Sequence, residues 1–375
     1  MNSILNEVDA LRKGKPLIVD RSNKNRYRLV THEEDGSKTA YYFSVPIYNE
    51  SIRKLLDLKF QNDGRTCSLI GSNSKIIVGD SISLENLQGT CQLMMPKGYR
   101  FKSDQCISYQ GAEVFPTTNG IAMKVDLDTE KSYCFRLKSD WSFYQIRSNN
   151  KYVALMSEKF KPFVTVSCIG SLYQNGELFA PAEIQYQKIS DREFEITVCS
   201  DSPYAKQILF EVNLQETKMF QDTTVESRNP KQNNAFGGTA FIGNSTAFGE
   251  QWLYARPDFS ILNDLLGQSI KKAVLHIPIL HRNDMKLMTV GLTTRFCSFG
   301  SNWNNKKGGS QKTNLSETVS GYHKIDITNM ITQNQRLQTT SEGWIIRSAV
   351  KNSGFSAIST GDSFYSPQIL EVTFQ

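Results

Sequence analysis

Short runs in which apolar and polar residues alternate, separated by Gly, Asn and Asp, make up most of this chain. The segment TAYYFSVPIYNESIRKLLDLKF alternates into a turn around Asn49, Glu50 and Ser51 and continues as a second apolar run. TCSLIGSNSKIIVGDSISLE reads as strand, Gly-Ser-Asn turn, strand. GIAMKVDLD, SYCFRLKS, KYVALMSE, FVTVSCIGSL, REFEITVCS and QILFEVNLQ extend the pattern. A period of two places alternate side chains on opposite faces, so these runs predict antiparallel sheets arranged as sandwiches or barrels. Their β-branched and aromatic content agrees. Only the start differs: Ile4, Leu5, Val8 and Leu11 share one face of a predicted helix that Gly14 stops.

After Leu214 a polar stretch, QETKMFQDTTVESRNPKQNNAFGG, predicts a boundary. Beyond it come FIGN, EQWLYARPDFSIL, a short helix around ILNDLLGQS, KKAVLHIPIL, LMTVGLTTRFCSF, GYHKIDITNMITQ, GWIIRSAV, GFSAIST and PQILEVTF. The expected organisation is a helix and lead-in over 1–36, a β-rich domain over 37–215 and a β-sandwich over 216–375. The middle part is long enough for one large sandwich or two small ones, with a candidate joint near 96–105.

The motif order over 219–375 resembles the DNRLRE-type β-sandwich domain, a jelly-roll relative of several carbohydrate-binding modules. FQDTTVES and FIGN are similar to that family's opening strand and turn. EQWLYARPDFSIL stands where the family has "R-x-yl-x-F-D-l-S", and IKKAVLHIPIL where it has "I-xx-A-x-L-x-l". SNWNN matches its "tWnn" loop with Trp303 in the tryptophan's place, and GYHKIDITNMI, with Asp326 and Thr328, matches "g-w-xx-f-D-v-T-xx-v". EGWIIRS and GDSFYSPQILEVTF resemble the closing strands. The hexapeptide DNRLRE is absent, and NKKGG replaces the proline that follows "tWnn". The resemblance implies an all-β fold: an N-terminal antiparallel β-rich region plus a C-terminal jelly-roll sandwich. It also allows a structural calcium held by loop carboxylates. YYFSVPIYN resembles the opening of uncharacterised gut-bacterial and prophage-borne proteins that carry the same C-terminal domain.

Composition narrows the function classes. With 39% hydrophobic and 21% charged residues the chain has the make-up of a folded globular protein. No apolar run reaches the ~18 residues of a membrane helix. MNSILNEVDALRKGKPLIV has no basic, apolar and small-residue succession, so no signal peptide is read and synthesis in the cytoplasm is expected. The seven cysteines are an odd number without CxxC, which points to reduced thiols rather than a disulfide framework or a zinc knuckle. Of the net charge of +6, residues 218–375 hold +5, with 16 Lys and Arg against 11 Asp and Glu. That excess favours an anionic partner such as an acidic glycan. No basic run with interleaved aromatics points to nucleic acid.

Catalytic patterns are thin. GDS at 79–81 and 361–363 imitates a serine esterase, yet none of His32, His276, His281 and His323 has an Asp three residues before it. Both sites read as turns. His276 and His281, five apart on one strand, fall on opposite faces and could not share a metal; the expectation is one half-buried and one exposed histidine. Asp126, Asp128 and Glu130 imitate the start of a calcium loop, but the Gly and distal Glu are missing and a charged turn is expected. No catalytic residue, cofactor or metal ligand is assigned.

Aromatic residues remain. Sugars present apolar C–H faces to exposed rings, with polar groups meeting their hydroxyls. Trp303, Asn304, Asn305 and Lys306 form such a set, and Tyr365 occupies another loop. Core capping is the favoured reading of Trp303, and Trp252 and Trp344 are expected in the core. The functional expectation is a non-catalytic structural or adhesive protein of a phage tail or similar extracellular particle. It would contact a cell-surface or wall glycan and other subunits, without nucleic acid or membrane insertion. The alternatives are a cell-wall adhesion protein and a polysaccharide-active enzyme with its site in the N-terminal half.

Overall fold

The computed structural model describes residues 4–375 apart from 23–24, 50, 52, 97, 141, 159–160, 215–219, 246–247, 259–262, 284–287, 294–298, 307, 320, 338–342 and 351–353. For 282–283, 288–293, 309–314 and 333–337 it describes backbone and not side chains. The fold is all-β, in antiparallel sheets, as the alternation predicts. It divides into two compact units: 48–216 with 236–238, and 2–47 with 217–235 and 239–375.

The first unit is one sandwich. One sheet runs Glu183–Ser190, Glu193–Cys199, Ser132–Ser139, Gly89–Met94, Ser81–Asn86, Ser74–Val78, Cys67–Ile70 and Gln61–Asn62. The other runs from Gln145–Ser148 through Tyr152–Glu158, Lys161–Leu172, Gln207–Leu214, Gly120–Asp126 and Ala112–Pro116 to Arg100–Ser103. Side chains of both sheets share a single core, where Phe135 stacks on Phe210 with centroids 5.3 Å apart. The stretch 96–105 is therefore a crossover between layers and not a joint between domains. Buried Asn119 donates to Leu214 O at 2.6 Å and accepts from Ser74, so its amide is satisfied on both sides.

Both imitation sites resolve into turns. Gly79–Asp80 and Gly361–Asp362 bend the chain between strands. Asp128 accepts the backbone N–H groups of Glu130 and Ser132, both at 2.9 Å, while Asp126 accepts from Gln207 at 2.8 Å. Cys91 and Cys168 are buried free thiols, and burial pushes both above the ordinary thiol range. Cys297 lies outside the described residues.

The second unit takes its first strands from the other end of the chain. Strands β1 (Arg28–His32) and β2 (Lys38–Phe43) form a hairpin, and β2 pairs with Ile369–Phe374 in register from Lys38↔Phe374 to Phe43↔Ile369. The boundary expected at 36/37 is thus displaced to 47/48. Choice of a strand partner is a long-range event that local pattern does not encode. Beyond Ile369–Phe374 the sheet continues with Ile270–Asn283, Tyr322–Asp326 and Gly309–Val319. Its inner positions, among them Tyr42, Leu370, Leu275 and Ile325, are fully buried.

A second sheet contains Met288–Thr293, Gly343–Ser348, Gly249–Pro257, Thr239–Ser245 and Phe355–Ser359, with Phe220–Glu226 beside Gly249–Pro257. Two strands serve both sheets. Ile270–Asn283 pairs with the C-terminal strand along its first half and with Phe355–Ser359 along its second, and Gly309–Val319 turns the opposite corner. Trp344, fully buried as expected, meets Phe220 between the layers.

Helix α1 (Ile4–Arg12) buries Ile4, Val8 and Leu11 as predicted, although Leu5 is exposed. It ends at Gly14, whose φ of 80° suits a residue without Cβ. A second helix, α2 (Thr328–Leu337), follows Asp326, which accepts the Thr328 N–H at 2.9 Å as an N-terminal cap. The strand reading of GYHKIDITNMITQ did not anticipate it. The helix expected near 261–269 is a single 3-10 turn, Asn263–Leu265.

Candidate functional site

Two places on the outside of the second unit bear on function. The first is the tryptophan loop, on the outer face of the second sheet. Leu253 and Ala255 point into the core, so their neighbours Trp252 and Tyr254 point out, beside Val225 and Ile345. Trp252 is therefore half-buried on the surface side and not in the core as expected; WLYA shows no polar alternation from which to read the face. Trp303 is half-buried too, 5.3 Å from Trp252, and covers this small apolar patch.

Local hydrogen bonds hold the loop in place. Asn302 accepts the N–H groups of Asn304 and Asn305 at 3.0 and 3.3 Å, and Asn305 accepts the Asn302 N–H at 2.8 Å. Asn305 also donates to Gly300 O at 3.0 Å, and Asn233 anchors Ser301 O at 2.7 Å. The Lys306 ammonium sits 3.8 Å from the Trp303 ring centre and donates to the Trp303 carbonyl at 3.3 Å. Trp303, Asn304, Asn305 and Lys306 are thus brought together, but one ring face and both ends of the Asn305 amide are engaged within the loop. Tyr365 lies half-buried in the connection between Ser359 and Ile369, after fully buried Phe364. Trp303 acts as a clasp on the sheet.

The second place is a groove of 970 Å³ across the outer face of the first sheet. Alternation supplies its floor: Thr39 and Tyr41 from β2, Glu371 and Thr373, then Lys272, Val274 and His276. Lys324, Asp326 and Glu317 continue it. Register aligns them into rows, Tyr41–Glu371–Val274–Asp326 and His276–Lys324–Glu317. Exposed Ile18 and Leu315, at 57% and 58%, stand at opposite edges. Six strands at about 4.8 Å spacing make this face of the sheet roughly 24 Å across.

Near its centre His276, 1% exposed, bonds Glu371 through Nε2 at 2.6 Å. Burial pushes the imidazole below the ordinary histidine range, against the pull of Glu371. Among the described residues the Nδ1 atom has no hydrogen-bond partner. Instead of one half-buried and one exposed histidine, His276 is buried and His281 half-buried. The register slips between Ile279 and His281 where the strand changes sheets, so residue parity does not relate their faces.

At the α1 end Arg12 is buried beneath the groove wall. It bonds Glu33 at 2.7 Å, Thr31 at 2.6 Å and Pro16 O at 2.8 Å. Burial works most strongly against the charge on Glu33, but the Arg12 guanidinium together with hydrogen bonds from Thr39 and Thr31 outweighs it and holds the carboxyl below its ordinary range. Tyr41 is pushed above the ordinary tyrosine range, first by burial and then by Glu371.

No protein-family profile matches this sequence, and no curated protein is similar to it. Among solved structures, the exo-β-1,3-galactanase of Phanerochaete chrysosporium, crystallised with β-1,3-galactotriose, aligns over 95% of this chain and 98% of its own. The identity is 10% and the TM-score 0.16, too slight a likeness to carry an argument.

Proposed function

We propose that the chain is a non-catalytic adhesive or structural component of an extracellular particle such as a phage tail, and that its second unit binds a glycan. The observation that carries the binding part is the groove on the first sheet. It encloses 970 Å³, has hydroxyl, carboxylate and ammonium groups among its lining, and keeps apolar side chains at its edges. A saccharide chain presents hydroxyls along its length and apolar C–H faces between them, which suits that lining. The order of motifs from 219 to 375 and the free, buried thiols support assembly in a reducing compartment and use outside it.

The test is retention on a panel of immobilised polysaccharides. Val274→Trp, which fills the groove floor, is expected to abolish retention, while Trp303→Ala keeps it. Retention that depends on Trp303 and not on Val274 would move the site to the loop. Reducing ends released from any polysaccharide would replace the non-catalytic reading with the enzymatic one.

A further inference from the structure

Register lays the charges of the groove floor out as a chequerboard around Val274. Glu371 stands opposite Val274 on one neighbouring strand and Asp326 opposite it on the other. Lys272 and His276 flank Val274 on its own strand, and Lys324 faces His276 one strand over. Glu317 in turn faces Lys324. Every ammonium on this floor therefore has a carboxylate as its cross-strand or diagonal neighbour, and the two signs alternate.

The alternation leaves no seat for a single charge. Burial pushes the Lys324 ammonium below the ordinary lysine range; the charge that acts on it most is that of Glu371, which pulls the other way, and Lys13 and Lys272 oppose Glu371. Over the whole lining, six carboxylates meet five lysine and arginine side chains. The positive excess of residues 218–375 lies elsewhere, since this part of the chain gives the groove Lys272 and Lys324 against Glu317, Asp326 and Glu371.

Yet the opposite charges do not close on one another. Among the described residues neither Lys272 nor Lys324 lies within ion-pair distance of a carboxylate. Diagonal neighbours on adjacent strands are about 7–8 Å apart, a gap that a small polar group can fill. An anion there would meet Glu371 and Asp326, and a cation would meet Lys272 and Lys324. A neutral hydroxyl serves both signs, because it accepts from an ammonium and donates to a carboxylate at once. Glu371 keeps 25% of its side chain exposed for such a donor although it holds His276.

Resting on the glycan-binding reading, we propose that the groove selects a neutral polysaccharide, with sugar hydroxyls over Val274 bridging the ammonium groups of Lys272 and Lys324 to the Glu371 carboxylate. The Val274 methyls then meet the apolar face of a sugar ring, and the Thr39 and Thr373 hydroxyls line the neighbouring floor.

Titration calorimetry of the full chain at a pH of about 6, where amino sugars are cationic, tests this. Dextran, laminarin and galactan are the neutral polymers, polygalacturonate the anionic one and chitosan oligosaccharide the cationic one; any polymer retained on the panel joins the series. The tightest binder is expected to be neutral, and its affinity to change less than about twofold between about 0.05 and 0.5 M NaCl, because a lining of balanced charge has little long-range field to screen. Lys324→Met and Glu371→Gln should each weaken it about tenfold, the loss of one hydrogen bond to a charged group. Lys75→Ala, on the first unit, should leave it unchanged. Urea midpoints establish that the variants fold, and the polymer series and salt dependence stand on the wild-type chain alone. Tighter binding of a charged polymer, a steep fall with salt, or a loss confined to the lysine variant overturns selection of a neutral chain but not glycan binding. If no polysaccharide binds, including those of the retention panel, the underlying reading fails with it.

Discussion

Replacing Arg12 by Met tests whether α1 is part of the second unit's stability or an ornament on it. The Arg12 side chain is 2% exposed and that of Glu33 14%. Met keeps much of the volume but leaves the buried part of the Glu33 carboxylate without a cation, its remaining partners being the Thr31 hydroxyl at 3.2 Å and the Thr39 hydroxyl. Removing one partner of a buried pair costs about 3–5 kcal/mol, and the partial access of Glu33 places this case near about 3 kcal/mol. With a urea dependence of about 2–3 kcal/mol/M the midpoint should fall by about 1–1.5 M. Three of the four tryptophans, Trp252, Trp303 and Trp344, belong to this unit, so tryptophan fluorescence follows it. Arg12→Met with Glu33→Leu removes both charges and should recover most of the loss. Because the folded Glu33 carboxyl is depressed, the pair's contribution is full above the unfolded value near 4.5 and is lost as pH falls through the lower folded value. The gap between wild type and Arg12→Met should therefore close in acid. A midpoint shift below about 0.3 M, or a double variant as unstable as the single one, refutes the reasoning.

Other outcomes follow from the same geometry. Trp303→Ala should cost about 1–2 kcal/mol, because a half-buried ring loses part of its area and one cation–π contact, whereas Trp344→Ala in the core should cost about 3–5 kcal/mol; urea titration separates the two. In the first unit Phe210→Ala should likewise cost about 3–5 kcal/mol, measured by the same titration followed by circular dichroism. Burial raises the half-buried Glu7 carboxyl to about 7, so its ionisation opposes α1 docking from the unfolded value of 4.5 upwards and fully above about 7. Glu7→Gln should match wild type below pH 4.5 and exceed it by on the order of 2 kcal/mol at pH 8, as read by stability against pH.

The alternation in single segments was enough to read the sheets, since EFEITVC and EVTF each separate a buried row from a half-exposed one. What escaped was the assembly of rows. His276 and Glu371 are 95 residues apart, and nothing within either strand says that they become neighbours. Lys272, His276 and Lys324 could have been marked as outward polar positions, though not as one groove. The same gap misplaced β2, whose partner lies at the far end of the sequence. Trp252 failed for a different reason: it sits on a strand with apolar groups on both faces, where parity gives no direction. The tryptophan loop was found from its composition, but its internal Asn302–Asn305 capping became visible only in three dimensions.

The pairing of Lys38–Phe43 with Ile369–Phe374 has a consequence for biogenesis. A ribosome adding roughly 5–20 residues per second needs on the order of half a minute between releasing the first of these segments and the last. Throughout that interval the N-terminal hairpin offers an open hydrogen-bonding edge to any passing strand. Successful production in a heterologous host should then depend on translation speed and on holdase chaperones, more than the stability of the finished protein would suggest.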